Sequence, residues 1–247
     1  MSLPPADLRC PDPPRCPVLA GLQPRGLRTC VVPTTRVLWR SYDGNGGWAE
    51  PNPGFGDSRF APFDDASGRR VPVMYLAATD TAALLETTFH NLDHSAGDRL
   101  VLESELLGRM LAEVTAPRPL RLLDLRDARL DALGVSRGQL VSSPAEHYPC
   151  TRRLALAAHG EMLRGSAVDG ILWHSRQAEL AASVRGAGLT PRLSAVEVMV
   201  VFSDRVVSGR GTWPLHAPGL RRLFDGPGRL RVDEIAEDLG ATIMPSS

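Results

Sequence analysis

The sequence predicts an α+β protein, built as a compact domain with mixed, mostly antiparallel sheets. Three observations carry this. Short apolar segments of strand composition recur along the chain, divided by clusters of Gly, Pro, Asn and Asp. Helical periodicity is confined to a few stretches, so the order is neither a regular β-α-β alternation nor a coiled pattern. No internal repeat is present.

The elements follow in order. Residues 1–30 are rich in Pro and Arg without sustained periodicity, which predicts an irregular extension on the domain surface. Residues 31–42 have the β-branched and aromatic content of a strand. Residues 43–56 are dense in Gly, Asn and Pro and predict a long loop, of a kind that often carries function. Residues 71–78 read as a short buried strand. Thr79-Asp80-Thr81 then offers N-cap residues to a helix over 82–89. Residues 99–105 alternate Leu100, Leu102 and Ser104 against Val101, Glu103 and Glu105, as a half-buried strand does. Residues 110–115 and 120–125 predict two more strands, and 128–133 a short helix. Leu154, Ala155, Ala158 and Met162 recur at helical spacing over 151–163. Residues 170–173 form a short strand leading to Ser175, and the apolar run 196–202 predicts a central strand. Residues 220–224 and 232–239 read as short terminal helices. The resulting division is an extension over 1–30, a main domain over 31–210 and a helical extension over 211–247.

Composition narrows the function. Hydrophobic residues make up 43% and aromatics only 5%, so the core is aliphatic. Net charge is zero, which argues against direct nucleic-acid binding. All 28 basic residues are arginine. That excludes Schiff-base chemistry and lysine-dependent phosphate loops, and makes every basic group a planar fork. No apolar run is long enough to span a membrane, and Met1-Ser2-Leu3-Pro4-Pro5 lacks the basic start of a signal peptide. A cytoplasmic protein with free thiols is therefore expected. Cys10, Cys16 and Cys30 have loose spacing and no nearby histidine, and His90, Asp93 and His94 lack a further ligand. No metal site is expected.

Four stretches carry the chemistry. They are Trp39-Arg40-Ser41-Tyr42, Gly56-Asp57-Ser58-Arg59-Phe60, Met74-Tyr75-Leu76-Ala77 leading to Glu86, and Asp169-Gly170-Ile171 leading to Ser175. Arginine forks suit phosphate oxygens, aromatic rings suit a flat base, and a carboxylate suits a ribose gaining positive charge at its anomeric carbon. The set points to a phosphorylated, ribose-containing ligand. Arg40 and Arg59 flank the Gly-rich loop, so they read as an anion clamp; Arg36 competes with Arg40 for that place. In isolation Tyr75 also reads as a core tyrosine and Glu86 as a solvated helix residue. Asp43, Asn45, Asn52 and Asp57 most simply satisfy turns. His174 beside Ser175 raises a serine hydrolase, but no Gly-x-Ser-x-Gly elbow is present and neighbours on a strand face opposite ways.

In order and in flanking residues, these stretches resemble the RES domain, a family of bacterial toxins paired with Xre-type antitoxins. The resemblance runs from about Arg36 to about Phe202. It implies a fold similar to ADP-ribosyltransferase toxins and makes 31–210 the catalytic part. It implies an enzyme that cleaves the nicotinamide–ribose bond of NAD, by phosphorolysis or hydrolysis. The catalytic residues would be Glu86, Arg59 and Arg40. The ligand would meet Arg40, Arg59, Tyr75, Ser175 and Tyr42, with Tyr148 and Thr151 facing the same pocket. NAD would be the substrate and phosphate a co-substrate, with no resident cofactor. The partner would be an Xre-type antitoxin, and a homo-oligomer stays open. Transfer of ADP-ribose to a protein and simple nucleotide binding are the alternatives. His174 departs from the family's usual proline before the serine.

Overall fold

Strand pairing organises this chain more than helix packing does. The computed structural model describes residues 10–90, 92, 99–163, 165–184, 196–209 and 211–245. The strands are β1 (Thr29–Val32), β2 (Val37–Asp43), β3 (Val73–Ala77), β4 (Arg99–Leu102), β5 (Arg109–Thr115), β6 (Leu120–Asp124), β7 (Met162–Leu163), β8 (Ser166–Ala167), β9 (Gly170–His174), β10 (Glu197–Phe202), β11 (Leu215–Arg222) and β12 (Ala241–Met244). The helices are α1 (Asp80–Leu85), α2 (Asp127–Asp131), α3 (Tyr148–Gly160), α4 (Arg176–Val184) and α5 (Gly226–Leu239). Eight strands form one sheet in the order β1-β6-β9-β10-β3-β2-β5-β11. Only β6 and β9 run parallel; the other neighbours are antiparallel. The fold is α+β, as the sequence predicts.

The period of two along each strand sets two cores. Val198, Val200 and Phe202 of β10 join Leu84, Leu85, Phe89, Leu154 and Ala158 in one cluster. Met199 and Val201 face the other way, with Met74, Leu76, Leu38, Leu172 and Trp213. No helix contributes to that second cluster, so the strands' inner faces pack on one another, as a curled sheet requires. The apolar run read as a central strand is indeed the fourth of eight.

Asp169-Gly170-Ile171 has a structural reason. A Cβ on Gly170 would meet the Val200 carbonyl oxygen at 2.0 Å, so the close approach of β10 demands glycine. Asp169 accepts both guanidinium nitrogens of Arg118, at 2.9 and 2.7 Å, and the Arg121 N–H at 2.8 Å. The motif locks β9 against β6 and β10, and so fixes where Ser175 emerges.

Several boundaries differ from the prediction. The strand over 31–42 is two strands, because Pro33 opens a turn closed by Arg36 N–H on its carbonyl at 3.1 Å. The two halves then part: β1 pairs with β6, and β2 lies between β3 and β5. The helix over 82–89 stops at Leu85, with Thr79 as its N-cap accepting from Ala82 N–H at 3.1 Å. In 99–105 only the first four residues are strand; Val101 is buried while Leu100 and Leu102 are exposed. The helix expected over 151–163 begins at Tyr148 and ends at Gly160. Residues 220–224 are not helical: Leu220 to Arg222 finish β11, which closes the sheet edge beside β5. Of the N-terminal extension, the described part holds two 3₁₀ turns, Pro13–Arg15 and Pro24–Gly26, and buries Cys10, Cys16, Val18 and Leu27 in the first core. No helix among the described residues is long and apolar enough to cross a membrane.

Candidate active site

A cavity of about 960 Å³ opens where β2, β3 and the start of α4 meet the long loop over 44–56. Arg40, Arg59, Tyr42, Tyr75, Glu86 and Tyr148 all line it. Residues spread over more than a hundred positions of sequence thus share one wall.

Arg40 and Tyr42 are two apart on β2 and so share a face, with the guanidinium carbon 5.4 Å from the ring centre. Arg40 is nearly buried and spends its fork on the loop. It donates to the carbonyls of Gly47 (3.4 Å), Trp48 and Glu50 (2.6 Å). Burial pushes its pKa down to about 10, so it stays charged at neutral pH. Burial also raises the Tyr42 phenol. Trp48 donates to the Trp213 carbonyl at 2.9 Å, and Asn52 exchanges two backbone hydrogen bonds with Val73. The loop is therefore a built wall. At its rim stands Phe55, 80% exposed.

Arg59 is also buried, and its fork goes to the turn before α3. It donates to the Leu140 carbonyl (3.0 Å), the Ser143 hydroxyl (2.9 Å) and the Ser143 carbonyl (2.9 Å). Its guanidinium lies 5.2 Å from the Tyr148 ring centre, and Thr151 donates to its carbonyl. Burial lowers its pKa; the charges of Tyr148 and Glu86 oppose this, and that of Arg176 adds to it.

Tyr75 is half-buried on β3. Its hydroxyl meets the Ser58 hydroxyl at 2.9 Å and accepts from Phe60 N–H at 3.3 Å. Its ring stands edge-on to Trp173, 6.2 Å between centres. Burial pushes the phenol up to about 12, so it is neutral.

Glu86 caps the C-terminus of α1 rather than lying within it. Ser175 donates to its Oε1 at 2.6 Å and accepts from Ala178 N–H at 3.0 Å, which makes Ser175 the N-cap of α4 as well. A hydroxyl has one proton, so the one Ser175 carries is committed to Glu86. His174 faces elsewhere, its Nδ1 3.0 Å from Asp127. No Ser–His pair forms. Ser175→Ala is expected to cost about 1 kcal/mol of stability through the lost cap. It should also cost roughly tenfold in the reaction proposed below, because Glu86 loses its positioning contact. Urea unfolding and steady-state rates on the same preparation read both effects.

Arg36 is paired with Glu197 and takes no part in the cavity wall. Asp43 and Asn52 do serve turns, accepting from Asn45, Gly54 and Phe55 N–H groups, whereas Asp57 pairs with Arg152. Asp93 and His94 lie outside the described residues. His90 lines the cavity, so its spacing to His94 is not its most telling feature.

Sequence reasoning missed two arginines. Arg109, opening β5, and Arg176, opening α4, both line the cavity. Among the described residues neither side chain has a hydrogen-bond or ion-pair partner. Three buried polar atoms on the same wall also lack one: Ser41 Oγ, His90 Nδ1 and Gln177 Oε1. Unspent forks and orphaned polar atoms around one cavity are what a polar, anionic ligand completes.

The family model of the RES domain matches residues 34–206, more than half of the chain. No curated protein matches it. A similar solved structure is the crystal structure of the M. tuberculosis MbcT–MbcA toxin–antitoxin complex. It is 14% identical, with a TM-score of 0.44, and the likeness covers 82% of this chain and 90% of that one.

Proposed function

The chain belongs to the RES domain family, and from that premise we propose that its cavity takes NAD and breaks the bond between nicotinamide and ribose. The observation that carries this is Glu86, a carboxylate held by a 2.6 Å hydrogen bond from Ser175 at the wall of an arginine-lined cavity. A fixed negative charge stabilises an oxocarbenium-like ribose as nicotinamide leaves.

The other residues divide into two sets. Arg109 and Arg176 have unspent forks and bind the diphosphate. Arg40 and Arg59 contribute positive charge to the wall while bracing the loop and the turn before α3. Tyr75 and Tyr42 supply ring surface for nicotinamide and ribose. Ser175 orients Glu86 instead of meeting the ligand directly.

The acceptor is phosphate or water. Phosphate gives nicotinamide and a phosphorylated ADP-ribose; water gives nicotinamide, ADP-ribose and a proton. An arginine-lined cavity favours phosphate as the second ligand. As in a toxin–antitoxin pair, an Xre-type antitoxin covering the mouth of the cavity would silence the activity.

The test is incubation of purified protein with NAD, with and without phosphate, following free nicotinamide. Phosphate-dependent release is the expected result. Bound NAD with no release under either condition would replace the enzyme with a binding module. Arg109→Ala and Arg176→Ala should each raise KM for NAD by roughly tenfold to a hundredfold, the worth of a charge-assisted hydrogen bond. Neither should shift the melting temperature by more than about 2 °C, since neither breaks an internal contact. An unchanged KM in both variants would remove the arginines from the site.

A further inference from the structure

Three of the four cysteines meet outside the lining of the cavity. Cys10, Cys16 and Cys150 are buried, and their sulfurs all lie within 4.8 Å of one another. Cys10 Sγ is also 3.9 Å from His147 Nδ1. Cys30, the neighbour in sequence, is not part of the group. The sequence spacing of Cys10, Cys16 and Cys30 led to no expected metal site, and the trio that does gather takes Cys150 in place of Cys30. The third sulfur, Cys150, lies in the first turn of α3, three residues after its N-cap His147.

We propose that Cys10, Cys16, Cys150 and His147 form a structural zinc site that staples the N-terminal extension to the start of α3. A tetrahedral zinc with Zn–S bonds of about 2.3 Å and a Zn–N bond of about 2.0 Å has S–S edges of about 3.8 Å and S–N edges of about 3.5 Å. Cys10 and His147, at 3.9 Å, lie a few tenths of an ångström beyond the S–N edge, and the sulfur trio, within 4.8 Å, lies about an ångström beyond the S–S edge. Three thiolates and one imidazole are a soft donor set that suits zinc and closes the coordination sphere, so the site is structural rather than catalytic.

The packing says the same from another side. Each of the three buried sulfurs lies against the other two. Thiolates so placed repel; a dication at their centre reverses that balance. On binding, three thiols release three protons to solvent, the imidazole keeps its remaining N–H, and the site carries one net negative charge.

Besides the burial of Val18 and Leu27 in the first core, no strand or α-helix anchors the described part of the extension before β1. Its described part, from Cys10 to the start of β1, holds only 3₁₀ turns, and Cys10 and Cys16 are among the residues it buries. The zinc also reaches the cavity indirectly. Tyr148 lies between His147 and Cys150 in sequence, lines the cavity and stacks beside Arg59. Cys10 and Cys16 precede the RES match at residue 34, so the staple belongs to this chain's own extension.

The test is metal analysis of the full chain purified from zinc-supplemented medium without chelators. About one zinc per chain is expected. Cys16→Ser and Cys150→Ser should each lower it to below about a tenth, and Cys30→Ser should leave it unchanged. Stripping the wild type with a strong chelator should lower the melting temperature by roughly 10 °C. It should also expose three thiols to a disulfide reagent, and readded zinc should reverse both effects. Because variants can misfold, cobalt(II) added to the stripped wild type is the second readout. Thiolate-to-cobalt charge-transfer bands should appear at one equivalent. Metal-free wild type that gives no such bands, or a disulfide within the trio seen as a mass two daltons lower, would overturn the site. None of these readouts uses NAD, so the outcome is independent of the proposed reaction.

Discussion

Glu86→Gln is expected to slow nicotinamide release from NAD by about a hundredfold or more while leaving the protein folded. Glu86 ends α1, where its backbone N–H reaches the Ala82 carbonyl at 3.0 Å, and this contact does not depend on the side chain. Glutamine keeps the size of the side chain and an oxygen that accepts from Ser175, so the 2.6 Å contact survives in neutral form. What disappears is the negative charge that the proposed reaction sets against the ribose. Removing one preorganised electrostatic contact typically costs roughly 3 kcal/mol in the transition state. The loss should fall on kcat more than on KM, because the positive charge it answers develops only as the bond breaks. The melting temperature should stay within about 2 °C of wild type. A folded Glu86→Gln protein that turns over NAD at near-normal rate would remove Glu86 from the chemistry. Loss of rate together with loss of the fold would instead make it a structural cap.

The sequence shows which residues gather but not how they spend their hydrogen bonds. Order and flanking residues were enough to place Arg40, Arg59, Tyr75 and Glu86 on one wall. They did not reveal that both arginine forks close on backbone carbonyls, because those acceptors belong to loops whose path no residue pattern encodes. The Ser175–Glu86 bond spans 89 positions and joins the end of α1 to the start of α4, which only the tertiary fold brings together. Arg109 and Arg176 looked like ordinary arginines, since a fork without a partner is a tertiary fact. The local signal behind the proposed zinc site is His147 and Cys150, three apart where a helix begins. Among the elements, the sheet's central strands were legible because two buried faces make continuous apolar runs. The edge was not. β11 carries Pro218-Gly219 and a register shift between Leu215 and Leu220, so it lacks the alternation that marks a strand.

Arg59→Met tests whether the site's scaffold and its ligand use the same arginine. Methionine fills much of the buried volume but donates nothing. Three acceptors then lose the Arg59 donor at once: the Leu140 carbonyl, the Ser143 hydroxyl and the Ser143 carbonyl. Ser143 keeps its own hydrogen bond to the Leu140 carbonyl at 2.8 Å, so the turn is weakened rather than abolished. Each stranded buried acceptor costs about 1–3 kcal/mol, and partial compensation by Ser143 brings the expected total to about 3–5 kcal/mol. For a chain of this length that is a fall in melting temperature of roughly 10 °C. Arg59→Lys should recover little of it, because an ammonium cannot span both carbonyls with the geometry of a fork. The contrast with Arg176→Ala is the point: one arginine should change stability with turnover, the other affinity with stability untouched. If Arg59→Met melts with the wild type yet binds NAD weakly, the bonds to Leu140 and Ser143 are dispensable and Arg59 serves the ligand directly. If it melts early and the surviving folded fraction still binds NAD normally, its work is to hold the turn that presents Tyr148 to the cavity.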